Sequence, residues 1–279
     1  MAEGAHALRF RCICCTVRGD LLRIFQKLSR RAVPFDHILI ETTGLADPAP
    51  VAQTFFVDEE VKANYELDAI ITVVDSKHVL VHLEEEKPEG VENESVEQVA
   101  FADKIILNKI DLVSEKEKAE VIQKLRSINK FAEIIETTQS SVDPNRLLGV
   151  KAFDLSRVLQ VEEDFLDTEA EHAHDDTVSS VGIEFQAELD LALLNTWLST
   201  MLRENGVDLF RSKGVLNVKG SDARHIFQGV HMLMSISSSD QGVGRPWKEG
   251  EMRTNRLVFI GRNLNREDIM TNFMACVAN

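Results

Sequence analysis

The run Asn108-Lys109-Ile110-Asp111 follows directly on the apolar residues 104–107, at what reads as the carboxyl end of a strand. In that place the four residues have the chemistry to read guanine. The Asp111 carboxylate accepts from the base N1–H and 2-amino group, Asn108 meets the ring edge, and the Lys109 stem lies along the base plane. Adenine offers the opposite hydrogen-bond pattern and would leave the carboxylate without donors, so discrimination is strong. The competing reading is a chance tetrapeptide in a polar strand-to-helix loop. The strand before it favours guanine.

A second pattern is Ile38-Leu39-Ile40-Glu41-Thr42-Thr43-Gly44. A carboxylate that ends an apolar strand is placed to hold Mg²⁺, usually through water, which makes Glu41 a candidate catalytic residue. Gly44 can bring its N–H against a γ-phosphate with no Cβ in the way, and is the second candidate. Asp47-Pro48 then opens a helix, with Asp47 as N-cap and Pro48 in the first helical position. An ordinary strand–turn–helix would account for Glu41 alone. The guanine pattern downstream tips the pair toward a nucleotide.

Three of the four cysteines, Cys12, Cys14 and Cys15, fall within four residues. In an extended stretch Cys12 and Cys14 project to one side and can chelate one ion, while Cys15 needs a local turn. Thiolates prefer ions such as Zn²⁺ and Cu⁺. Three of them leave a tetrahedral ion one open position, which suits a carrier better than a permanent structural site. Arg18 nearby favours the thiolate form. Buried structural cysteines and a redox relay are the alternatives. His172 and His174, set among carboxylates, read either as a loose cation site or as part of a solvated linker. Asp75 and His78 end an apolar run and read as caps of the next helix. His225 and His231 read as core or surface residues and Trp197 as core, while Trp247, in the Gly/Pro-rich stretch 242–250, is a candidate exposed contact.

Composition narrows the classes. Over 279 residues, 46 acidic side chains face 31 basic ones, a formal charge of −15. That balance argues against nucleic-acid binding, which rests on clustered Lys and Arg, and against anionic membranes. With 44% hydrophobic residues the chain can build a core. No apolar run nears the roughly 18 residues of a membrane span, and residues 1–11 hold no signal-peptide core. The expectation is a cytoplasmic protein.

The elements that must position these residues follow from periodicity. Residues 20–160 alternate apolar runs with amphipathic segments, as in an α/β domain around a parallel sheet. Strands are expected over 37–40, 69–74, 104–107 and 132–135. A helix carries Leu21, Phe25 and Leu28, and another spans Glu115–Ile128 with Val121, Ile122 and Leu125 turned inward. Residues 84–97 hold seven carboxylates with Pro88 and Gly90 and read as a mobile loop; residues 162–176 hold eight carboxylates and read as a linker. Beyond it Val181, Ile183, Phe185, Ala187 and Leu189 alternate with polar or small residues, a half-buried strand. A helix over 191–202, strand-like runs at 215–218, 230–236 and 257–260, and a terminal helix near 266–276 complete an α+β module. The division expected is 1–160, a linker 161–177, and 178–279.

Taken together, residues 12–21, Glu41-Thr42-Thr43-Gly44-Leu45-Ala46-Asp47-Pro48 and Asn108-Lys109-Ile110-Asp111 resemble the CobW-type metallochaperone GTPases, relatives of HypB and UreG. The acidic linker and the module from about residue 178 are similar to that family's C-terminal domain. The resemblance implies a P-loop NTPase-like parallel sheet that couples guanine-nucleotide binding to holding or releasing Zn²⁺ for a client metalloprotein. On it Cys12, Cys14 and Cys15 are the metal ligands, Glu41 serves Mg²⁺, Gly44 senses the γ-phosphate, and Asn108, Lys109 and Asp111 bind guanine. The family pattern also places a G-x-x-x-x-G-K-[ST] phosphate loop some tens of residues before the cysteines, and no such motif stands in this sequence. Its backbone cradle and Lys neutralise the β- and γ-phosphates, so GTP affinity and hydrolysis are expected to be weakened. The leading expectation is therefore a zinc chaperone with impaired hydrolysis. The alternatives are a non-catalytic module that engages a client or a full-length paralogue, and a thiol redox protein.

Overall fold

The computed structural model describes residues 15–33, 35–42, 44, 46–85, 87, 93–152, 178–241 and 246–278, without the side chains of residues 15–18, 20 and 241. Cys12 and Cys14 lie outside the described residues, as do His172, His174 and the acidic segment around them. The chain divides into two compact units, residues 1–67 and 68–279.

The described residues of the first unit form α1 (Cys15–Ser29), α2 (Ala49–Val57) and α3 (Glu59–Asn64). Leu21 and Phe25 on α1 are buried with Val61 on α3. The Phe25 ring meets Phe55 edge-on at 5.5 Å and Tyr65 at 4.7 Å, and the Tyr65 hydroxyl donates to the Phe25 carbonyl at 2.8 Å. The Asp47 carboxylate accepts from the Ala49 N–H at 2.7 Å. The helix thus starts at Ala49, one residue later than expected, with Pro48 in the cap position. The strand expected at residues 37–40 is not formed. Leu39 is 82% exposed and Ile38 38%, while Ile40 packs on the Leu21–Phe25 cluster. An apolar run becomes a strand only where a neighbour takes its alternating N–H and C=O groups, and among the described residues this run has no such neighbour.

The second unit opens with a parallel sheet of β1 (Ile71–Asp75), β2 (Lys104–Asn108) and β3 (Glu133–Glu136), in that order. Between β1 and β2 run α4 (Val79–Leu83) and α5 (Glu94–Phe101); α6 (Glu115–Ile128) connects β2 to β3. Asn93 caps α5 by accepting from Ser95 and Val96 N–H groups, so the acidic stretch expected to be loop throughout ends as a helical turn in which Glu97 is buried. Ser114 and Glu117 form a reciprocal capping box that starts α6 where periodicity placed it. Val121, Leu125 and Ile128 of α6, with Ile105 and Leu107 of β2 and Phe101, are all buried. A parallel strand needs cover on both faces, and its continuous apolar run reflects that.

The rest of the unit is an antiparallel sheet of β4 (Val178–Phe185), β5 (Leu209–Leu216), β6 (His225–Val230), β7 (Leu233–Ser238) and β8 (Asn255–Arg262), ordered β4-β8-β5-β6-β7. Helices α7 (Leu191–Asn205) and α8 (Arg266–Met274) pack on it through Leu194, Leu198, Ile269 and Phe273 against Ile183, Phe227, Leu257 and Phe259. Trp197 stacks on Phe273 at 5.4 Å, as a core residue should. Trp247 is not an exposed contact. It packs on Val215 and Ile226 beneath the Arg224 guanidinium, 4.3 Å from the ring. The run read as one strand at 230–236 is two, β6 and β7, joined at His231, whose φ of 49° turns the chain.

The two sheets of this unit are joined by a buried charge cluster. Asp103, just before β2, pairs with Arg211 at 2.5 Å and with Lys213, both on β5; the Asp103 and Arg211 side chains are each 4% exposed. Arg211 also donates to the Phe101 carbonyl, Lys213 to the Ala152 carbonyl at 2.8 Å, and the second Asp103 oxygen accepts from the Ile70 N–H at 2.8 Å.

Candidate functional site

The candidate site lies at the carboxyl ends of β1, β2 and β3, where parallel strands deliver their loops to one side. Asp75 ends β1 opposite Asn108, which ends β2. Asn108 is buried, and its amide is used on both sides: Oδ1 accepts from the Ser140 N–H at 2.8 Å and the Thr137 hydroxyl at 3.3 Å, and Nδ2 donates to the Ser140 hydroxyl at 2.7 Å. Thr137 in turn donates its N–H to the Leu107 carbonyl at 2.9 Å. Gln139 and Ser140 have φ of 52° and 53°, the left-handed turn that brings the Ser140 N–H back toward Asn108. The side chain expected to meet a base is thus held rigidly by the loop after β3.

Lys109 is fixed at both ends. Its backbone is left-handed, φ 64° and ψ 32°, which costs a non-glycine residue about 1 kcal/mol or more. Its carbonyl accepts from the Ser76 hydroxyl at 2.9 Å and the Leu112 N–H at 2.9 Å, and its Nζ donates to Asp75 Oδ2 at 2.6 Å. The same Asp75 oxygen meets His78 Nδ1 at 3.0 Å, and Oδ1 accepts from the Lys77 N–H at 2.9 Å. Burial pushes the Asp75 carboxyl up, but the hydrogen bonds from Lys109, His78 and the Lys77 N–H outweigh it and hold the group well below the usual carboxylate range. Asp75 therefore shapes a turn and pairs Lys109, and it does not cap α4, whose cap position is His78. Asp111 lies in the single 3₁₀ turn Ile110–Leu112 immediately after Lys109, and is exposed.

The three guanine-motif residues are thus adjacent on one loop. Glu41 and Gly44 belong to the first unit, where both are exposed and a Cβ added at Gly44 would meet nothing within 4 Å. Cys15 opens α1; among the described residues no three His, Cys, Asp or Glu side chains gather as a metal site. A separate cavity of about 350 Å³ opens between α7 and β7, lined by residues that include Leu191, Asn195 and His225. None of Asn108, Lys109 and Asp111 lines it. Sequence reasoning missed Thr137, Ser140 and Ser76. The signal was present, since Thr137-Thr138-Gln139-Ser140-Ser141 is a polar run placed just after an apolar one, as Asn108 is.

Residues 2–136 match the CobW/HypB/UreG nucleotide-binding domain, and residues 178–277 match the cobW C-terminal domain of cobalamin synthesis proteins. The chain belongs to the CobW family. Among its CobW relatives is the zinc-regulated GTPase metalloprotein activator 1 of Schizosaccharomyces pombe, 32% identical over 93% of this chain and 68% of the relative. Another is the zinc chaperone YjiA of Escherichia coli, 32% identical over 94% of this chain and 79% of YjiA. In three dimensions this CobW chain is similar to the Zn(II)-bound YjiA GTPase crystal structure from E. coli, with a TM-score of 0.71 at 28% identity, covering 92% of this chain and 76% of that one. A Zn(II)-bound triple mutant of YjiA, in which a glutamate and two adjacent cysteines are alanine, gives a TM-score of 0.72 at 29% identity over the same shares.

Proposed function

We propose that this chain is a guanine-nucleotide-linked zinc chaperone. Residues 1–160 carry the nucleotide and the ion, 161–177 link, and 178–279 form the C-terminal domain. Asn108, Lys109 and Asp111 bind the base, Glu41 serves Mg²⁺ and Gly44 the γ-phosphate. Cys12, Cys14 and Cys15 hold Zn²⁺ as cargo for a client metalloprotein. The observation that carries the reading is the loop at Asn108: its amide is locked by Ser140 and Thr137 and its neighbour Lys109 by Asp75 and Ser76, a rigidity that a connecting loop does not require. The zinc assignment draws on the relatives' names and on the donor set, since three thiolates leave a fourth position open for hand-over. Among the described residues no helix is long and apolar enough to cross a membrane.

The 279 residues hold the base-reading loop but no G-x-x-x-x-G-K-[ST] cradle, so GTP turnover by this chain is slow. Zinc titration against a chromophoric chelator tests the cargo site: one ion binds tightly, and the Cys12/Cys14/Cys15→Ser variant loses it. Unchanged zinc affinity in that variant would reject the cysteine assignment. Turnover at the rate of a GTPase with an intact phosphate loop would reject the impaired step.

A further inference from the structure

Two residues with no part in the sequence motifs hold the one that has. Ser76 is buried, at 3% exposure, and grips both carbonyls of the Asn108-Lys109 dipeptide: its N–H donates to the Asn108 carbonyl at 3.0 Å and its hydroxyl to the Lys109 carbonyl at 2.9 Å. Asp75, on the neighbouring strand, holds the Lys109 ammonium at 2.6 Å. The Lys109 stem is thus fixed at its root and at its tip, and it stays partly exposed, the side chain being 47% accessible.

We propose that Asp75 and Ser76 are positioning residues of the guanine site, which stretch Lys109 into an apolar floor for the base and take up its charge. The inference rests on the guanine reading above. With its ammonium engaged by Asp75, Lys109 offers the base its methylenes, whereas a loose lysine would have to be ordered on binding, at a cost in side-chain entropy. Lysine is suited to this task because its stem is apolar and only its tip is charged.

The test is GDP affinity, with ADP as control, measured by titration on the full chain. Asp75→Asn keeps a side-chain oxygen for the Lys77 N–H turn but lacks the charge that holds Lys109. We expect it to weaken GDP about three- to tenfold, with ADP and the melting temperature little changed. Ser76→Ala should move GDP affinity the same way, and Asp75→Glu should recover most of the loss. In a Lys109→Met background Asp75→Asn should have no further effect, because the residue it holds is gone; a purely structural Asp75 would weaken binding equally there. Equal losses in the two backgrounds overturn the inference. So does an Asp75→Asn variant that binds GDP like a parent that itself prefers GDP over ADP. A parent with no preference between GDP and ADP removes the guanine reading and this inference with it.

Discussion

Among the described residues Asp103, Arg211 and Lys213 bring one carboxylate and two cations together in a buried site, and this predicts an asymmetry between two single substitutions. Asp103→Asn takes away the carboxylate charge that both cations meet. Breaking a buried pair in this way typically costs about 3–5 kcal/mol, on the order of 10 °C in melting temperature for a unit of this size. Lys213→Met removes one of the two cations, leaves Arg211 on Asp103, and keeps the apolar stem. The lost donor to the Ala152 carbonyl is offset by a charge that no longer has to be desolvated. A change within about 1 kcal/mol is expected. The cluster also has a pH signature. Burial first, then Arg211, pushes the Lys213 ammonium down to about 8 from 10.5, against the pull of Asp103. Between those values the unfolded chain binds a proton that the folded chain has released, so this group's contribution to stability rises with pH from about 8 to 10.5 and is flat below. The Asp103 carboxyl, held below its usual range against burial by Arg211 and Lys213, works in the other window, where its contribution is lost as acid protonates it. Calorimetry of parent and both variants at pH 7 and pH 9.5 checks the asymmetry and the alkaline window. The Lys213→Met variant should lack the alkaline rise. If Asp103→Asn costs no more than Lys213→Met, Asp103 is not the centre of the buried junction described above.

Two further substitutions have readouts of their own. Asn129, buried at the end of α6, donates to the Val99, Ala100 and Ala102 carbonyls and accepts from the Phe131 and Ala132 N–H groups. Asn129→Ala strands those groups and should cost about 2–4 kcal/mol in urea unfolding. Asp111→Asn turns an acceptor into a donor and should reverse a preference for GDP over XDP by at least about tenfold, read by competition titration.

The elements that could be read from sequence were those whose period and boundary signals agree. Helix α6 has a capping box at Ser114 and Glu117, and β2 is a buried apolar run that ends in a polar loop. The chain from 37 to 40 has the same apolar signature, but pairing is a property of neighbours and a local window does not contain them. The hairpin at His231 was missed because a histidine turns the chain at positive φ where Gly or Asn would have announced it. At the site, the sequence pattern named the residues that would face a base and was silent on those that hold them. Ser140 lies 32 residues from Asn108 and Ser76 lies 33 from Lys109, so only the parallel register brings them together.

That register explains why some site residues are buried and others exposed. In a parallel sheet the strand ends line up, so the loop after each strand can bond the loop after its neighbour. Here β1 contributes Ser76 to the carbonyls after β2, and β3 contributes Thr137 and Ser140 to the amide that ends β2. The buried polar groups are spent on each other, which leaves Lys109 and Asp111 as the exposed residues of the motif. Order is therefore built into the fold, and on the guanine reading proposed above the entropy of fixing this loop is met by folding and not by binding. The other end of β2 is fixed as firmly, because Asp103 ties it to β5. A five-residue strand spans only about 17 Å, so the loop after β2 and the C-terminal sheet are anchored to opposite ends of a single rigid element.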